Sequence, residues 1–279
     1  MSTAKTDVAM TDSDFTKLRA IIHKGTGITI GENRKSMLVS RLRSRLREVD
    51  EPSFSGYISR LSKDPDEMQE MTNRVTTNET YFYRTPRVWD YLEDEFLPRF
   101  LEKGQSQPMR VWSGASSTGE EAHTIGVLLE NIRLTNAKFD YSVLGTDVSS
   151  RVLDVATKGL YKGRSIARFR KAKPDLFDKH MVGDDENGFK ADPQIRSRLK
   201  FKLHNLFNGL KSGGPFDVVF LRNVLIYFID EDQERILQHV WNQMRPDGVL
   251  FIGESETLTK LKTPFEQIVP IIYRPNSKV

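Results

Sequence analysis

The residues best suited to chemistry in this 279-residue chain lie where strands of a buried sheet are expected to end. The loop Gly114–Glu121, GASSTGEE, follows the strand candidate Met109–Ser113. Its glycines let the backbone approach a ligand closely, and the helix after it offers free N–H groups at its N-terminus. Asp147 follows the strand candidate Phe139–Gly145, where a carboxylate suits the two hydroxyls of a ribose.

Arg222 and Asn223 follow the strand candidate Phe216–Leu221 and interrupt an apolar run. Local departures from a strand pattern are expected at functional positions. Ligands of open α/β sheets bind at the carboxyl ends of the strands, so the three segments together favour an S-adenosylmethionine-type site over a nicotinamide site. Spacing alone leaves structural roles open, because Thr118 can cap one helix and Asp147 the next.

Strands and helices alternate beyond residue 109, which predicts a mostly parallel sheet covered on both faces. Further strand candidates are Leu199–Leu203 and Val249–Gly253, and residues 266–274 favour a late hairpin. Helices are expected over Val152–Lys158 and from about Asp232 to Met244, ended by Pro246-Asp247-Gly248. Residues 162–198 are too long for an ordinary connection and indicate an inserted subdomain with a hairpin at the turn-rich stretch 183–188.

Residues 12–74 have apolar residues at helical spacing, which predicts an all-helical unit of four helices. Asp12 or Ser13 is expected to cap the first helix. The second helix carries Arg34, Arg41 and Arg45 beside its apolar stripe. These arginines are either a solvated face that shields leucines or a basic docking face for an acidic partner.

The composition excludes several kinds of site. Without cysteine there are no disulfides, thiolate nucleophiles, iron–sulfur clusters or zinc–thiolate sites, and the five histidines lack short ligand spacing, so no metal is expected. A net charge of +4 permits an acidic partner without demanding nucleic acid. No apolar run reaches the roughly 20 residues of a bilayer span, and residues 1–12, without the apolar core of a signal peptide, are expected to be a disordered tail.

Five strings in order along the chain resemble the CheR family of chemotaxis-receptor methyltransferases. They are TTNETYFYR (76–84), RVWSGASSTGEE (110–121), VLGTDVSSRVLDVATKGLY (143–161), FDVVFLRNVLIYF (216–228) and RPDGVLFIGESE (245–256). The resemblance covers residues 13–274 and implies a class I, Rossmann-like methyltransferase fold of the α/β class. It also implies a helical receptor-docking domain over 13–75, a linker over 76–88 that contributes to the cofactor site, and a methyltransferase domain over 89–279 with a small β-subdomain inserted at about 162–198.

The resemblance implies a cytoplasmic enzyme of chemotactic adaptation. Such an enzyme transfers a methyl group from S-adenosylmethionine to glutamate side chains on the cytoplasmic helical domain of chemoreceptors, leaving S-adenosylhomocysteine and using no metal, nucleic acid or membrane insertion. The cofactor-binding positions implied are Asn78, Thr80, Arg84, Glu121, Asp147, Asn205, Leu206, Arg222 and Asn223, with Arg84 and Tyr227 nearest to the transferred methyl group. Two departures stand out: Ala122-His123 where the family has proline after the double glutamate, and the turn GDDENG, an unclear match to members that grip a receptor tail.

Two other functions remain open from the sequence. A nucleic-acid methyltransferase fits the basic pI of about 9.1, but base-amine enzymes place an Asn/Asp-Pro-Pro-aromatic string where Arg222-Asn223-Val224-Leu225 stands here. A non-catalytic receptor adaptor would retain the fold, and the presence of Asn78, Arg84, Asp147 and Asn223 argues against it. A glutamate carboxylate is already ionised at neutral pH, so methyl transfer to it needs no general base, in keeping with the absence of a Ser–His–Asp set.

Overall fold

The computed structural model describes residues 9–104 and 107–276, which divide into two compact units. The first unit consists of the described residues up to Thr77 together with Tyr227–Ile229. The second unit consists of Asn78–Ile226 and the described residues from Asp230 onward. Within the described ranges, no helix is long and apolar enough to cross a membrane.

The first unit is built from four helices: α1 Asp12–Thr26, α2 Lys35–Glu48, α3 Phe54–Leu61 and α4 Pro65–Val75. Each helix has apolar residues spaced three or four apart, and these residues form one shared core. Leu38, Leu42 and Leu46 of α2 are completely buried in it. The predicted helical unit is therefore present, with its second helix packed through the expected leucine stripe.

Helix α1 begins with a different cap from the one predicted. Thr11 is the N-cap: its hydroxyl accepts the N–H of Asp14, and the Asp14 carboxylate accepts the N–H of Thr11. Part of the expected tail of residues 1–12 lies outside the described residues, but Met10 is buried in the helical core. The capping box and the buried Met10 therefore anchor this end of α1.

The second unit contains a seven-stranded sheet and a separate two-stranded hairpin. The strands are β1 Met109–Gly114, β2 Tyr141–Asp147, β3 Met181–Asp184, β4 Gly188–Ala191, β5 Leu199–Leu203, β6 Phe216–Leu221, β7 Met244–Ile252, β8 Phe265–Val269 and β9 Ile272–Pro275. The helices are α5 Pro86–Tyr91, α6 Leu97–Glu102, α7 Glu120–Thr135, α8 Ser150–Lys158, α9 Arg164–Ala172, α10 Pro174–His180, α11 Pro193–Arg198 and α12 Asp230–Trp241, with a π-helical segment at Leu92–Phe96.

The order of the large sheet is β5-β2-β1-β6-β7-β9-β8, in which only β8 and β9 run antiparallel to their neighbours. The chain proceeds from β1 outward through β2 to β5 and then crosses back to β6 and β7. The order reverses between β1 and β6, and such a switch point opens a crevice beyond the carboxyl ends of the strands. The mostly parallel sheet predicted from the sequence is confirmed.

The predicted boundaries differ most from the structure at helix α12 and the strand that follows it. Helix α12 ends at Trp241, and Pro246-Asp247-Gly248 lies inside strand β7 instead of ending the helix. The pairing register between β6 and β7 shifts at this point, since Met244 pairs with Phe216 but Val249 pairs with Val218. A proline and a glycine are tolerated there because the extra residues form an irregularity in the ladder.

The predicted insert contains the expected hairpin, formed by β3 and β4, but most of its ordered structure is helical. Helices α9, α10 and α11 surround the hairpin in sequence. Phe169 of α9, Phe177 of α10 and Phe189 of β4 are buried, and Phe177 makes edge-to-face contacts with both other rings. The insert thus has a small aromatic core of its own.

Candidate active site

The register of the parallel strands brings the ends of β2, β1 and β6 level with one another. Gly114, the last residue of β1, pairs with Thr146 of β2 on one side and with Leu221 of β6 on the other. Asp147 and Arg222 therefore each follow a residue paired with Gly114. The three segments that the sequence analysis singled out meet at one edge of the sheet, beside the switch point.

Ser117 ties three of the predicted site segments together. Its backbone N–H donates to Asp147 Oδ2 at 2.9 Å, and its hydroxyl donates to the carbonyl of Asn78 at 2.9 Å. The loop after β1 is thereby held against the end of β2 and the linker residue Asn78. Nothing in the sequence singles out Ser117, because a small residue in a small-residue loop gives no signal of its own.

Asp147 is buried, with only 6% of its surface exposed. Besides the N–H of Ser117, its carboxylate accepts the N–H of Ser149 at 2.9 Å. Burial raises the pKa of Asp147, while these backbone hydrogen bonds act in the opposite direction. Ser149, not Asp147, is the N-cap of α8, so the carboxylate supports both turns and keeps lone pairs for a ligand.

Gly119 is required by the geometry of the loop. Its φ of 91° lies in the left-handed region, and a Cβ there would meet Ala156 Cβ at 2.7 Å and the Tyr161 hydroxyl at 2.9 Å. Gly119, not Thr118, is the N-cap of α7; the Thr118 hydroxyl donates to the carboxylate of Glu120 instead. The first N–H groups of α7 thus follow directly on a loop that only glycine can close.

His123, one of the departures from the family strings, is buried and contacts the loop that follows β1. Its Nδ1 lies 2.9 Å from the Gly119 carbonyl and 3.0 Å from the Tyr161 hydroxyl, which donates to the Thr118 carbonyl at 2.7 Å. Burial lowers the pKa of His123 to about 4, so the ring is neutral near pH 7. The substitution therefore provides packing and loop support and adds no charge to the site.

Arg222 and Glu121 form a buried ion pair. Arg222 Nη1 lies 2.8 Å from Glu121 Oε2, and the two side chains are 2% and 13% exposed. Ser113 Oγ donates to the other oxygen of Glu121 at 2.7 Å. Arg222 Nη2 donates to the backbone carbonyl of Arg84 at 2.8 Å, which connects three predicted site residues in one chain of contacts.

Glu256 holds the loop that follows β6, and the sequence analysis missed it. Its Oε2 accepts the N–H groups of Gly253 at 2.5 Å and Asn223 at 2.9 Å, and its Oε1 accepts the N–H of Leu225 at 2.8 Å. Burial raises the pKa of Glu256, whereas these three hydrogen bonds favour its ionised form. Because Asn223 has a φ of 57°, a strained backbone conformation, the carboxylate stabilises a loop that would otherwise relax.

Asn205 and Leu206 follow β5, whose last residue pairs with Asp147. Asn205 Oδ1 accepts the N–H of Phe207 at 3.0 Å and shapes the turn. Leu206 is buried beside the end of β1, since a Cβ on Gly114 would lie 3.4 Å from Leu206 Cδ2. The two residues thus flank the same edge of the sheet from the β5 side.

The linker residues Asn78–Thr85 form a segment without regular secondary structure within the second unit. Thr80 and Arg84 are partly exposed, whereas Phe82 and Tyr83 are buried. The Phe82 ring stacks on Phe169 of the insert, with ring centroids 5.9 Å apart. Arg84 donates to the Glu79 carbonyl at 3.2 Å, and its own carbonyl also accepts the indole N–H of Trp89 at 2.9 Å.

Strained backbone concentrates in these segments. Seven non-glycine residues of the described chain have positive φ, and five of them lie in the linker or in the loops after β1 and β6: Tyr83, Thr85, Ala115, Ser117 and Asn223. Residues are retained in such conformations where the surroundings over-determine them, typically at ligand sites. This clustering supports a binding site here independently of the residue types.

Tyr227 lies in a short 3₁₀ turn, Leu225–Tyr227, and belongs with the helical unit. Its carbonyl accepts the N–H of Thr29 at 2.8 Å. The other twelve predicted site and docking residues divide between the units: Arg34, Arg41 and Arg45 lie in the first and the remaining nine in the second. A catalytic role for Tyr227 stays a prediction.

The three arginines predicted as a docking face have unequal surroundings. Arg34 is exposed and lies in a 3₁₀ turn, Glu32–Arg34, just before α2, so its predicted place on the second helix is wrong. Arg41 donates to the carbonyls of Val75 and Thr76 at the end of α4. Arg45 makes two hydrogen bonds to Glu67, at 3.0 and 2.8 Å, and the Glu67 side chain is 1% exposed. Two of the three arginines therefore hold the helical unit together, and a docking role for the set stays a prediction.

Comparison with known proteins agrees with this geometry. Residues 78–271 match the family model described as CheR methyltransferase, SAM binding domain, and residues 13–76 match the CheR methyltransferase all-alpha domain. The chain belongs to the CheR methyltransferase family. The family resemblance and the fold class inferred from the sequence strings are confirmed.

CheR relatives match over nearly the full length of the chain. Chemotaxis protein methyltransferase 1 of Pseudomonas aeruginosa is 30% identical, covering 94% of this chain and 98% of its own. The chemotaxis protein methyltransferase of Borreliella burgdorferi is 30% identical over 97% and 96% of the two chains, and that of Escherichia coli is 30% identical over 92% and 89%. Among the described residues of this CheR protein, no three His, Asp or Glu side chains group closely enough to hold a metal ion.

Proposed function

We propose that this protein transfers the methyl group of S-adenosylmethionine to glutamate side chains of chemoreceptors, in the cytoplasm, and so forms glutamate methyl esters during chemotactic adaptation. The observation that carries the proposal is the match of residues 78–271 to the SAM-binding domain of CheR methyltransferases. The names of the full-length relatives support the receptor as the substrate.

The residues at the carboxyl edge of the sheet fit S-adenosylmethionine. Ser116 Oγ and Asn223 Oδ1 are buried and have no hydrogen-bond partner among the described residues. They stand two residues beyond Gly114 and Leu221, which pair with each other in the sheet. Unsatisfied buried polar atoms at a site edge call for a polar ligand.

The residues proposed to hold S-adenosylmethionine are Asn78, Thr80, Arg84, Glu121, Asp147, Asn205, Leu206, Arg222 and Asn223. Asp147 accepts the ribose hydroxyls, and the apolar Leu206 packs beside Gly114. Arg222 and Glu121 act mainly through each other, because both charges are already paired at 2.8 Å. Their ion pair holds the Arg84 carbonyl, and with it the linker, in place.

The chemistry requires little of the protein beyond positioning. When bound, S-adenosylmethionine would supply a methyl group on a sulfonium centre, whose carbon would form a bond to the glutamate oxygen as its bond to sulfur breaks and S-adenosylhomocysteine leaves. The glutamate nucleophile, with a reference pKa of about 4.3, is ionised at neutral pH, so this chain needs no general base. Orientation of the reacting groups supplies up to about 7–11 kcal/mol in well-aligned systems.

Arg84 is proposed to orient the substrate carboxylate. Only one of its guanidinium N–H groups is engaged by the Glu79 carbonyl, which leaves donors for a carboxylate. A tight grip on the attacking oxygen would slow attack, so orientation is favoured over activation. Tyr227 is proposed to position the carboxylate or the methyl group.

The decisive experiment is transfer of radiolabelled methyl groups from S-adenosylmethionine to chemoreceptor-containing membranes. We expect label on a receptor protein that mild base releases, as an ester requires.

Arg84→Ala should lower turnover more than cofactor affinity, and Arg84→Lys should rescue only in part because an ammonium lacks the planar fork. Arg87→Ala, an exposed arginine three residues away, is the matched control. Label that resists base, or label on nucleic acid, would overturn the proposal.

A further inference from the structure

Helix α9 of the insert presents a uniformly basic face. Arg164, Arg168 and Lys171 are spaced four and three residues apart, so they lie within one stripe of the helix, and all three are exposed. Ile166 and Phe169 are buried on the opposite side. The helix contains no acidic residue, so nothing along α9 offsets the stripe.

Two other basic residues of this region already have acidic partners. Arg170 pairs with Asp185 at 2.9 Å, and Lys173 pairs with Glu93 at 2.9 Å. Arg164, Arg168 and Lys171 form no ion pair with any carboxylate of the described residues. The fold therefore uses some charges of the insert internally and leaves this stripe available to an external acidic group.

The stripe is continuous with the proposed substrate-binding arginine. Arg168 Nη1 donates to the Tyr81 hydroxyl at 2.8 Å, and its guanidinium lies 4.5 Å from the centre of the Tyr81 ring. The Arg84 guanidinium lies 5.5 Å from the same ring. Tyr81 thus bridges α9 to Arg84, and a carboxylate held at Arg84 has the basic stripe beside it.

We infer that the stripe of Arg164, Arg168 and Lys171 docks the acidic helical segment that carries the target glutamate. The inference rests on the proposed function. A segment that presents glutamates for methylation is acidic, and the stripe spans about 10.5 Å from Arg164 to Lys171, or two turns of a partner helix. Each methylation removes one negative charge, so attraction to the stripe weakens as the product forms and release of the modified segment is favoured.

The test is the double reversal Arg164→Glu/Lys171→Glu, which leaves Arg168 and Tyr81 untouched. The substrate is a purified soluble cytoplasmic fragment of a chemoreceptor from the same organism. We expect KM for the fragment to rise roughly tenfold at low salt with kcat little changed, because rim charges act mainly on encounter. Affinity for S-adenosylmethionine, measured by titration calorimetry, and the melting temperature should equal those of the wild type.

The matched control is Lys138→Glu/Lys211→Glu, which changes net charge equally at two exposed lysines outside the insert. The KM difference between the two double variants should shrink at 1 M salt, where the Debye length is about 3 Å. Equal KM values for both variants at low salt would overturn the docking inference but would leave the proposed function standing. A wild type that binds S-adenosylmethionine but labels no receptor fragment would overturn the proposed function and the inference together.

Anionic vesicles of phosphatidylglycerol separate a membrane role from a protein role. The inference expects the KM defect to appear with the soluble fragment and expects no difference between wild type and Arg164→Glu/Lys171→Glu in vesicle co-sedimentation. Loss of vesicle binding in the variant, with unchanged KM for the soluble fragment, would assign the stripe to the membrane surface and overturn the docking inference.

Discussion

Replacing Arg45 by alanine should destabilise the helical unit. The guanidinium makes two hydrogen bonds to Glu67, at 3.0 and 2.8 Å, and the Glu67 side chain is only 1% exposed. Removing one partner of a buried ion pair costs about 3–5 kcal/mol. Arg45 is 23% exposed, and Glu67 would still accept a hydrogen bond from the Tyr57 hydroxyl at 2.7 Å. We therefore expect Arg45→Ala to lower the free energy of unfolding by less than this range, about 2–3 kcal/mol.

Urea denaturation of the full chain, followed by circular dichroism, measures this loss. With a urea dependence of about 1–3 kcal/mol per molar, the midpoint should fall by roughly 1 M or more. Hydrogen exchange should place the faster opening in α2 and α4, which carry Arg45 and Glu67. Arg47→Ala is the matched control, because Arg47 is exposed on the same helix and forms no ion pair with the described residues.

The effect should depend on pH with a defined sign. Burial alone would raise the pKa of Glu67, but hydrogen bonds from Arg45 and Tyr57 outweigh burial and hold it below its ordinary value. The lowered pKa contributes stability above the unfolded value of about 4.3, and this stability is lost as pH falls through the folded value. Arg45→Ala lacks most of that contribution. The difference in unfolding free energy between the wild type and Arg45→Ala should therefore shrink from pH 7 towards pH 3.

Glu67→Gln in the Arg45→Ala background should recover part of the loss, because it removes a buried charge that only the Tyr57 hydroxyl at 2.7 Å and the longer contact with Arg60 at 3.7 Å still offset. Equal urea midpoints for Arg45→Ala and Arg47→Ala would refute the structural role and leave Arg45 free for docking. A triple variant with Arg34, Arg41 and Arg45 all changed to glutamate would test the predicted docking face. A methylation defect in that triple variant reports docking only if its helical unit unfolds at the wild-type midpoint.

Three further predictions concern the second unit. Asp147→Ala should weaken S-adenosylmethionine binding by tenfold or more in calorimetric titration, at about 1.5–3 kcal/mol for each charge-assisted hydrogen bond lost, while a cooperative melting transition remains. Unchanged affinity would leave Asp147 as a loop support only. Glu256→Gln should lower the melting temperature by several degrees, since an amide can accept fewer of the three N–H groups that hold the Asn223 loop; an unaltered transition would contradict this. Arg222→Ala should destabilise the protein more than Arg222→Ala/Glu121→Gln does, because the single change leaves the Glu121 charge unpaired, and additive effects would argue against the pair.

The strand candidates show how much of the fold a local sequence pattern can predict. Leu199–Leu203 and Phe216–Leu221 are predicted to the residue. Phe216–Leu221 is a mostly apolar run, typical of a strand buried on both faces, whereas Leu199–Leu203 alternates apolar residues with lysines, typical of a half-buried strand, and forms the edge of the sheet. The end of α12 is misplaced, because the bulge that admits Pro246-Asp247-Gly248 into β7 depends on the neighbouring strand β6. Pairing partners that are distant in sequence leave no local signal.

The arginines of α2 show the same limit for side chains. Helical spacing correctly places Arg41 and Arg45 on α2 beside the leucine stripe, whereas Arg34 lies outside the helix. Spacing cannot tell a solvated arginine from a paired one. Arg45 also contacts Glu48 on its own helix, but its buried partner Glu67 and the partners of Arg41 lie in and just beyond α4, more than twenty residues away. Whether a charge serves the fold or a partner is decided by these distant contacts.

By itself the sequence determines the family, the alternation of strands and helices, and the strand ends at which Asp147, Arg222 and Asn223 stand, because these depend on local runs and ordered strings. The tertiary structure alone decides which of these side chains are already satisfied. Glu256 accepts backbone N–H groups of the loop after β6, whereas Ser117 donates its own backbone N–H to Asp147 and its hydroxyl to the Asn78 carbonyl. Backbone N–H and carbonyl groups are offered by nearly every residue regardless of its type. Hydrogen bonds of this kind follow from chain geometry, which only the folded sheet brings into being.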